Sequence, residues 1–146
     1  MRNGRSRRDV LKACSAALAA APAVRSSPPG VGIRVERASL SYEDYAYRTP
    51  IKFGGSVVDK VTLLNVECVV RTPDGRRAKG FGSMPMGNVW SFPSQTLSYD
   101  QTLSAMKALA GRIAVLTQDY PDYGHPLDLN FALEPVYLNA AREVGA

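Results

Sequence analysis

The chain has 146 residues, of which 45% are hydrophobic and 21% are charged, which suits one globular domain able to bury a core. Its formal net charge is +5, but five of the positive charges fall within the first twelve residues. Residues 24–146 carry 13 Lys and Arg against 12 Asp and Glu, so the charge balance argues against a nucleic-acid-binding face in the body of the chain.

The amino-terminal segment carries an export pattern. It reads SRRDVLK at 6–12, with Arg7 and Arg8 adjacent, and an uncharged, alanine-rich run follows at 13–24. That run of 12 residues is too short to span a bilayer as a stable helix. The order of motif and apolar run resembles a bacterial twin-arginine signal peptide. The alternative interpretation is an ordinary basic amino-terminal tail.

Small residues at Ala21 and Ala23 suit cleavage after Ala23. We therefore expect residues 1–23 to be a signal peptide and residues 24–32 to be a flexible linker. The mature protein is then periplasmic or extracellular, with no stable membrane anchor after processing.

Three strands are predicted next. Residues 33–40 form a plausible first strand, and residues 61–71 alternate strongly, with one face apolar and the other mixed. The apolar face carries Thr62, Leu64, Val66, Cys68 and Val70. TPDG at 72–75 has the residue order of a tight turn, and residues 76–82 continue as an antiparallel partner.

Cys68 would be the only cysteine of the exported chain, because Cys14 lies in the leader. No internal disulfide can then form. The surrounding VECVV predicts a buried strand thiol acting as a small apolar side chain, not a nucleophile.

Two connections are longer and more aromatic than joining strands requires. Residues 42–60 combine three tyrosines, a phenylalanine, cations and a glycine pair, and residues 83–95 are uncharged and hold two methionines and the tryptophan. Long loops of this kind are usually functional. We expect both to contact something beyond the sheet.

Two helices follow the strands. Ser98 and Gln101 have capping-box spacing, and apolar residues at three- and four-residue steps predict a helix over about 99–118 that covers the apolar sheet face. A second helix is predicted to begin near Pro135 and to end at Gly145. Strands followed by helices indicate an α+β domain, with a three-stranded antiparallel sheet and then a small helical bundle.

Residues 33–146 resemble the amino-terminal capping domain of the enolase superfamily, in its mandelate racemase and muconate lactonizing branch. The resemblance rests on IRVE, YRTPIKFGG and VTLLNVECVVRTPDGRRAKGFGSMPMGN, taken in that order. It is most specific in the turn and its flanking strands, at Val69, Thr72, Asp74, Gly75, Gly80 and Gly82.

The resemblance implies that two mobile loops of the cap close an active site and select the substrate. Carried onto this sequence, these loops are 45–59 and 82–92. The implied substrate-pocket residues are Tyr47, Arg48, Lys52, Phe53, Met84, Met86 and Trp90. The alternative for Met84 and Trp90 is packing against the cap's own helices.

In this family the catalytic residues lie on a barrel, where three acids hold magnesium and a lysine or histidine abstracts a proton next to a carboxylate. The barrel's sequence is missing here, so no catalytic residue, metal ligand or cofactor is expected within this chain, and it should be inactive alone. The implied partners are a barrel domain and a small carboxylate substrate, in a racemisation, epimerisation, cycloisomerisation or dehydration. An uncovered cap is also expected to self-associate.

The remaining charged residues are interpreted as structural. His125 lies in the turn YGHP, and the nearby acids are expected to cap helices: Asp119, Asp122 and Asp128. The basic cluster on the second hairpin is interpreted as a solvated face: Arg76, Arg77 and Lys79. A second functional hypothesis stays open, an exported stand-alone module that uses the same two loops to bind a ligand or a protein.

Overall fold

The computed structural model describes residues 32–53 and 55–145. Three strands are followed by three helices: β1 (Arg34–Phe53), β2 (Ser56–Arg71), β3 (Arg77–Pro85), α1 (Asn88–Ser91), α2 (Tyr99–Asp119) and α3 (Pro126–Val144). The predicted α+β class, with a three-stranded antiparallel sheet followed by helices, is confirmed. The predicted signal peptide with Arg7 and Arg8, and the linker up to residue 31, lie outside the described residues.

The sheet has the strand order β1-β2-β3 and is antiparallel throughout. The predicted turn at 72–75 joins β2 to β3: the Gly75 amide donates to the Thr72 carbonyl at 2.9 Å, and Gly75 has a φ of 87°. A positive φ favours glycine, which explains the residue at this position.

The interpretation of 42–60 as a long connection is wrong. β1 runs on to Phe53 and β2 starts at Ser56, so this segment belongs to a pair of strands joined by a tight turn. The tyrosines and β-branched residues favour strands, and a glycine pair between them is a hairpin signal. Gly55 in this turn has a φ of 87°.

Helix α2 begins as predicted. The Ser98 side chain accepts a hydrogen bond from the Gln101 amide, and the Gln101 side chain accepts one from the Ser98 amide. The helix packs against β1. Tyr42 pairs with Leu64 across the sheet, and its hydroxyl donates to the Lys107 carbonyl at 3.3 Å. Because paired residues share a face, α2 covers the predicted apolar face of the sheet.

The predicted start of the last helix near Pro135 is wrong. Helix α3 begins nine residues earlier, at Pro126, where His125 caps it by accepting a hydrogen bond from the Leu127 amide at Nδ1. Proline suits the first turn, where no intrahelical amide partner exists, and Asp128 there favours the positive end of the helix. Pro135 lies inside the helix, where its side chain is exposed.

The core of the described residues is thin. Its buried apolar side chains are Val58, Met86, Ala114, Leu133 and Ala140, and none of the described side chains is completely buried. Fourteen large apolar side chains are exposed in the same part of the chain. No helix among the described residues is long and apolar enough to cross a membrane.

Candidate functional site

The two segments that the sequence predicted as loops lie at the same end of the sheet. β3 runs parallel to β1 and ends at Pro85, which pairs with Leu63 of β2. Beyond that pair β1 and β2 continue alone as the arm, which we define as residues 45–61. The segment after β3, residues 86–92, therefore starts at the base of the arm.

Two of the candidate residues on the arm lie at an irregularity in the pairing of β1 with β2. Ala46 pairs with Lys60 and Ile51 with Val58, so residues 47–50 oppose a single residue of β2. Such a bulge twists a strand and re-aims its side chains. Tyr47 and Arg48 lie in the bulge, and Lys52 lies beyond it, all three exposed. Phe53 ends β1, but its side chain lies outside what the structure describes.

Polar contacts fasten the base of the arm to helix α2. The buried Thr62 donates from Oγ1 to Asp44 Oδ1 at 2.5 Å. The ammonium of Lys60 lies 4.5 Å from the centroid of the Tyr99 ring and 3.7 Å from the Asp100 carboxylate. Helix α2 starts with these two residues, so its amino terminus lies against Lys60 at the base of the arm.

Burial raises the pKa of the Tyr99 phenol, and the nearby carboxylates of Asp44, Asp100 and Asp59 raise it further. Both causes disfavour the phenolate, because a negative charge is neither hydrated nor tolerated beside other negative charges. Tyr99 therefore stays a neutral side chain at ordinary pH and serves to support the arm.

The two candidate methionines lie on either side of the end of β3. Met84, in β3, is 70% exposed, whereas Met86, just after it, is 8% exposed and its amide donates to the Thr62 carbonyl at 2.9 Å. Met84 is therefore accessible at the surface, and Met86 belongs to the core. Trp90 is 49% exposed and packs its indole directly against Gly87.

Gly87 should be required for the position of the Trp90 indole. A Cβ at Gly87 would lie 2.6 Å from two ring carbons of Trp90, and the φ of 55° is itself unfavourable for alanine. Gly87→Ala should shift the fluorescence of Trp90, the only tryptophan of the chain, to longer wavelength and should lower the free energy of unfolding by about 1–2 kcal/mol.

The matched control for this glycine is Gly82→Ala. No atom lies within 4 Å of a Cβ at that position, and Gly82 carries no positive φ. Its emission maximum should stay at the wild-type value. An unchanged emission maximum in Gly87→Ala would show that the indole does not rest on this glycine.

A buried asparagine holds the same segment to α2, and sequence reasoning missed it. Asn88 is 3% exposed and donates from Nδ2 to the Tyr99 carbonyl at 3.0 Å and to Thr102 Oγ1 at 2.9 Å. Thr102 is also buried and donates to the Tyr99 carbonyl at 3.0 Å. The available signal was Thr102 itself, a polar residue four positions before Met106 on the apolar stripe of α2.

The helices leave an apolar surface uncovered. On α3, Leu127, Phe131 and Leu138 share one face at helical spacing and are 71%, 68% and 52% exposed. Together with Leu109 and Ile113 of α2 they border a groove of about 590 Å³. We call these five residues the helical apolar face. A second apolar hollow of about 350 Å³ adjoins it through Leu109.

The chemistry that this arrangement offers is binding and covering. The arm presents cations and a tyrosine, the end of β3 presents Met84, and the segment after β3 presents Trp90. Within residues 32–53 and 55–145, no group of three or more His, Cys, Asp or Glu side chains could hold a metal ion.

No protein-family profile matches the sequence, and no curated protein matches it. A solved structure that the chain is similar to is the L-talarate/galactarate dehydratase from Salmonella typhimurium LT2, with a TM-score of 0.43 and 19% sequence identity. The match covers 86% of this chain and 30% of the dehydratase chain. This chain thus corresponds to less than a third of that enzyme's length.

Proposed function

We propose that the chain is the capping, substrate-selecting domain of an enzyme of the mandelate racemase and muconate lactonizing type. The observation that carries the proposal is the helical apolar face, left exposed by a domain whose own core is thin. Large apolar patches on soluble proteins usually mark interfaces. The proposed cover is a catalytic barrel supplied by another polypeptide segment.

In this proposal the substrate is selected by the end of the sheet that carries the arm. Arg48 and Lys52 are exposed cations on the arm and would pair with a distal anionic group of a small carboxylate substrate. Met84 and Trp90, with Phe53 at the end of β1, would exclude water from the reacting centre. Their exposure leaves Met84 and Trp90 accessible for that contact.

The chain alone is proposed to be inactive. The reaction of the assembled enzyme would be proton abstraction next to a carboxylate, leading to racemisation, epimerisation, cycloisomerisation or dehydration. Magnesium would stabilise the resulting enediolate when bound, and its ligands would belong to the barrel. The residues of this chain would orient the substrate and keep water out.

The proposed location is outside the cytoplasm. The support is the sequence pattern around Arg7 and Arg8 followed by the alanine-rich run at 13–24. The twin-arginine route carries folded cargo, which suits a cap exported together with its barrel.

The test combines the chain with the polypeptide encoded directly downstream of it. Exchange of the α-hydrogen of small hydroxycarboxylates would be followed by proton NMR in D₂O with magnesium present. We expect no exchange with either polypeptide alone and clear exchange with both together. Absence of exchange with both, when sedimentation shows that they associate, would overturn the enzymatic role.

The helical apolar face provides a second readout on the chain itself. Phe131→Gln should weaken self-association of the full chain by at least about tenfold, since burying one large side chain contributes roughly 1.5–3 kcal/mol. Sedimentation velocity at increasing protein concentration would measure it, with Asn139→Gln as the control, since Asn139 is exposed on the same helix and does not line the groove. A wild-type chain that stays monomeric at all concentrations and binds a small carboxylate would instead identify the stand-alone module.

A further inference from the structure

Three arginines lie side by side at the end of the sheet opposite the arm. Arg34 of β1 pairs with Arg71 of β2, and Arg71 pairs with Arg77 of β3. We call these three residues the arginine row. It spans two strand spacings, roughly 10 Å. Like charges directly opposite each other on neighbouring strands are unfavourable, so the row calls for negative charge nearby.

The protein supplies only part of that negative charge. Glu36 accepts two hydrogen bonds from Arg77, at 2.6 Å from Nε and 2.7 Å from Nη2. The pKa of Glu36 lies below its ordinary value, first because of these hydrogen bonds and then because of the charges of Arg77, Arg71 and Arg34. The carboxylate of Glu36 therefore interacts electrostatically with all three guanidinium groups.

Two of the arginines keep unused donors. The Nε atoms of Arg34 and Arg71 are buried and have no hydrogen-bond partner among the described residues. The guanidinium carbon of Arg34 lies 5.9 Å from the centroid of the Tyr123 ring, a contact that is not a hydrogen bond. An unmade hydrogen bond to a charged donor is costly, and a negative charge beside the row would offset part of that cost.

An open hollow of about 550 Å³ adjoins the row at Arg77, the one member of the row in its lining. It is lined by Glu36, Arg37, Val69, Arg77, Ala78 and Lys79. The row and this lining together hold five cations against the single carboxylate of Glu36. The next carboxylate on β2, Glu67, lies two pairs further along the sheet, opposite Phe81.

We propose that the arginine row and its hollow bind a compact, multivalent oxyanion of the pyrophosphate class. Guanidinium groups bind phosphate oxygens through paired, charge-assisted hydrogen bonds. Several phosphate oxygens on one small ligand could accept from neighbouring arginines at once. A long nucleic acid fits less well, because outside these five cations and Glu36 residues 24–146 carry 8 Lys and Arg against 11 Asp and Glu.

The proposal is independent of the capping function, since the row lies at the other end of the sheet. Its test is titration of the full chain with sodium pyrophosphate, followed by calorimetry and by NMR of the arginine Nε–H groups. Binding should move the Nε–H resonances of Arg34 and Arg71. Arg71→Gln should weaken binding by about tenfold, as loss of a charge-assisted hydrogen bond implies.

Arg142→Gln is the matched control, because it removes one exposed arginine from α3 and changes the net charge equally. Its pyrophosphate affinity should stay within twofold of the wild type. Lys79→Gln, an exposed change that leaves the row intact, should weaken binding by about threefold and covers the case in which Arg71→Gln does not fold. Equal losses in all three variants, or Nε–H resonances of Arg34 and Arg71 that do not move, would overturn the site.

Discussion

Leu133→Ala should lower the free energy of unfolding by about 3 kcal/mol, the largest effect that we expect from a single apolar substitution in this chain. Leu133 is 5% exposed on α3, whereas Leu127 on the same helix is 71% exposed. Its truncation would enlarge an existing cavity of about 110 Å³ that it lines with Val35 and Leu129. Because few other side chains are buried, little neighbouring packing is available to compensate.

Leu127→Ala on the same helix is the matched control. It removes the same atoms from a side chain that is already in water, so its effect should stay within about 0.5 kcal/mol. Urea unfolding followed by far-ultraviolet circular dichroism would measure both variants. Equal effects of the two substitutions would show that the orientation of α3 described here is wrong.

The sequence predicted the elements whose local signals agreed with their packing. The capping box at Ser98 and Gln101 and the apolar stripe behind it defined α2 correctly, since both features act within one or two turns. The turn at 72–75 was equally local. These signals need no knowledge of the rest of the molecule.

The errors came from competing signals. Pro135 looked like the start of a helix, but the pair His125 and Pro126 provides the cap, and Pro135 lies within α3. The arm was predicted to be a loop because it is longer and more aromatic than joining two strands requires. The bulge at 47–50 accommodates Pro50 within a strand pair.

The candidate site was predictable in position but not in detail. Antiparallel order alone places the end of β3 beside the arm, so Met84 and the arm residues had to lie at the same end of the sheet. Alternation could not separate Met84 from Met86, because residues two apart fall on the same face of a strand; the hydrogen bond from the Met86 amide to the Thr62 carbonyl holds Met86 against β2. That contact joins residues 24 positions apart and leaves no local sequence signature.

Buried polar contacts determine the structure at the end of the sheet that carries the arm. Thr62, next to the base of the arm, joins β1 to the segment after β3: its hydroxyl donates to Asp44 and its carbonyl accepts from the Met86 amide. Asn88 joins that segment to the start of α2. A fully satisfied polar cluster of this kind is rigid and specifies one arrangement. A substitution in this cluster should therefore alter the surroundings of Trp90, which lies two residues beyond Asn88.

Asn88→Ala should lower the free energy of unfolding by about 2 kcal/mol, because it removes two buried hydrogen bonds and leaves their acceptors without a donor from this side. The Tyr99 carbonyl keeps the hydrogen bond from Thr102, which limits the loss. Urea unfolding would measure it, with Asn139→Ala as the control, since Asn139 is exposed on α3 and its loss should change stability by less than about 0.5 kcal/mol.

The same variant also separates anchoring of the segment from general stability. If Asn88 fixes the position of α1, the Trp90 emission of Asn88→Ala should shift to longer wavelength without denaturant, while the far-ultraviolet spectrum keeps its native shape. Leu133→Ala, which weakens the fold on α3, should leave that emission unchanged under native conditions. A native Trp90 emission in Asn88→Ala would mean that packing on Gly87 alone holds the indole, and the asparagine would then have no part in shaping this edge.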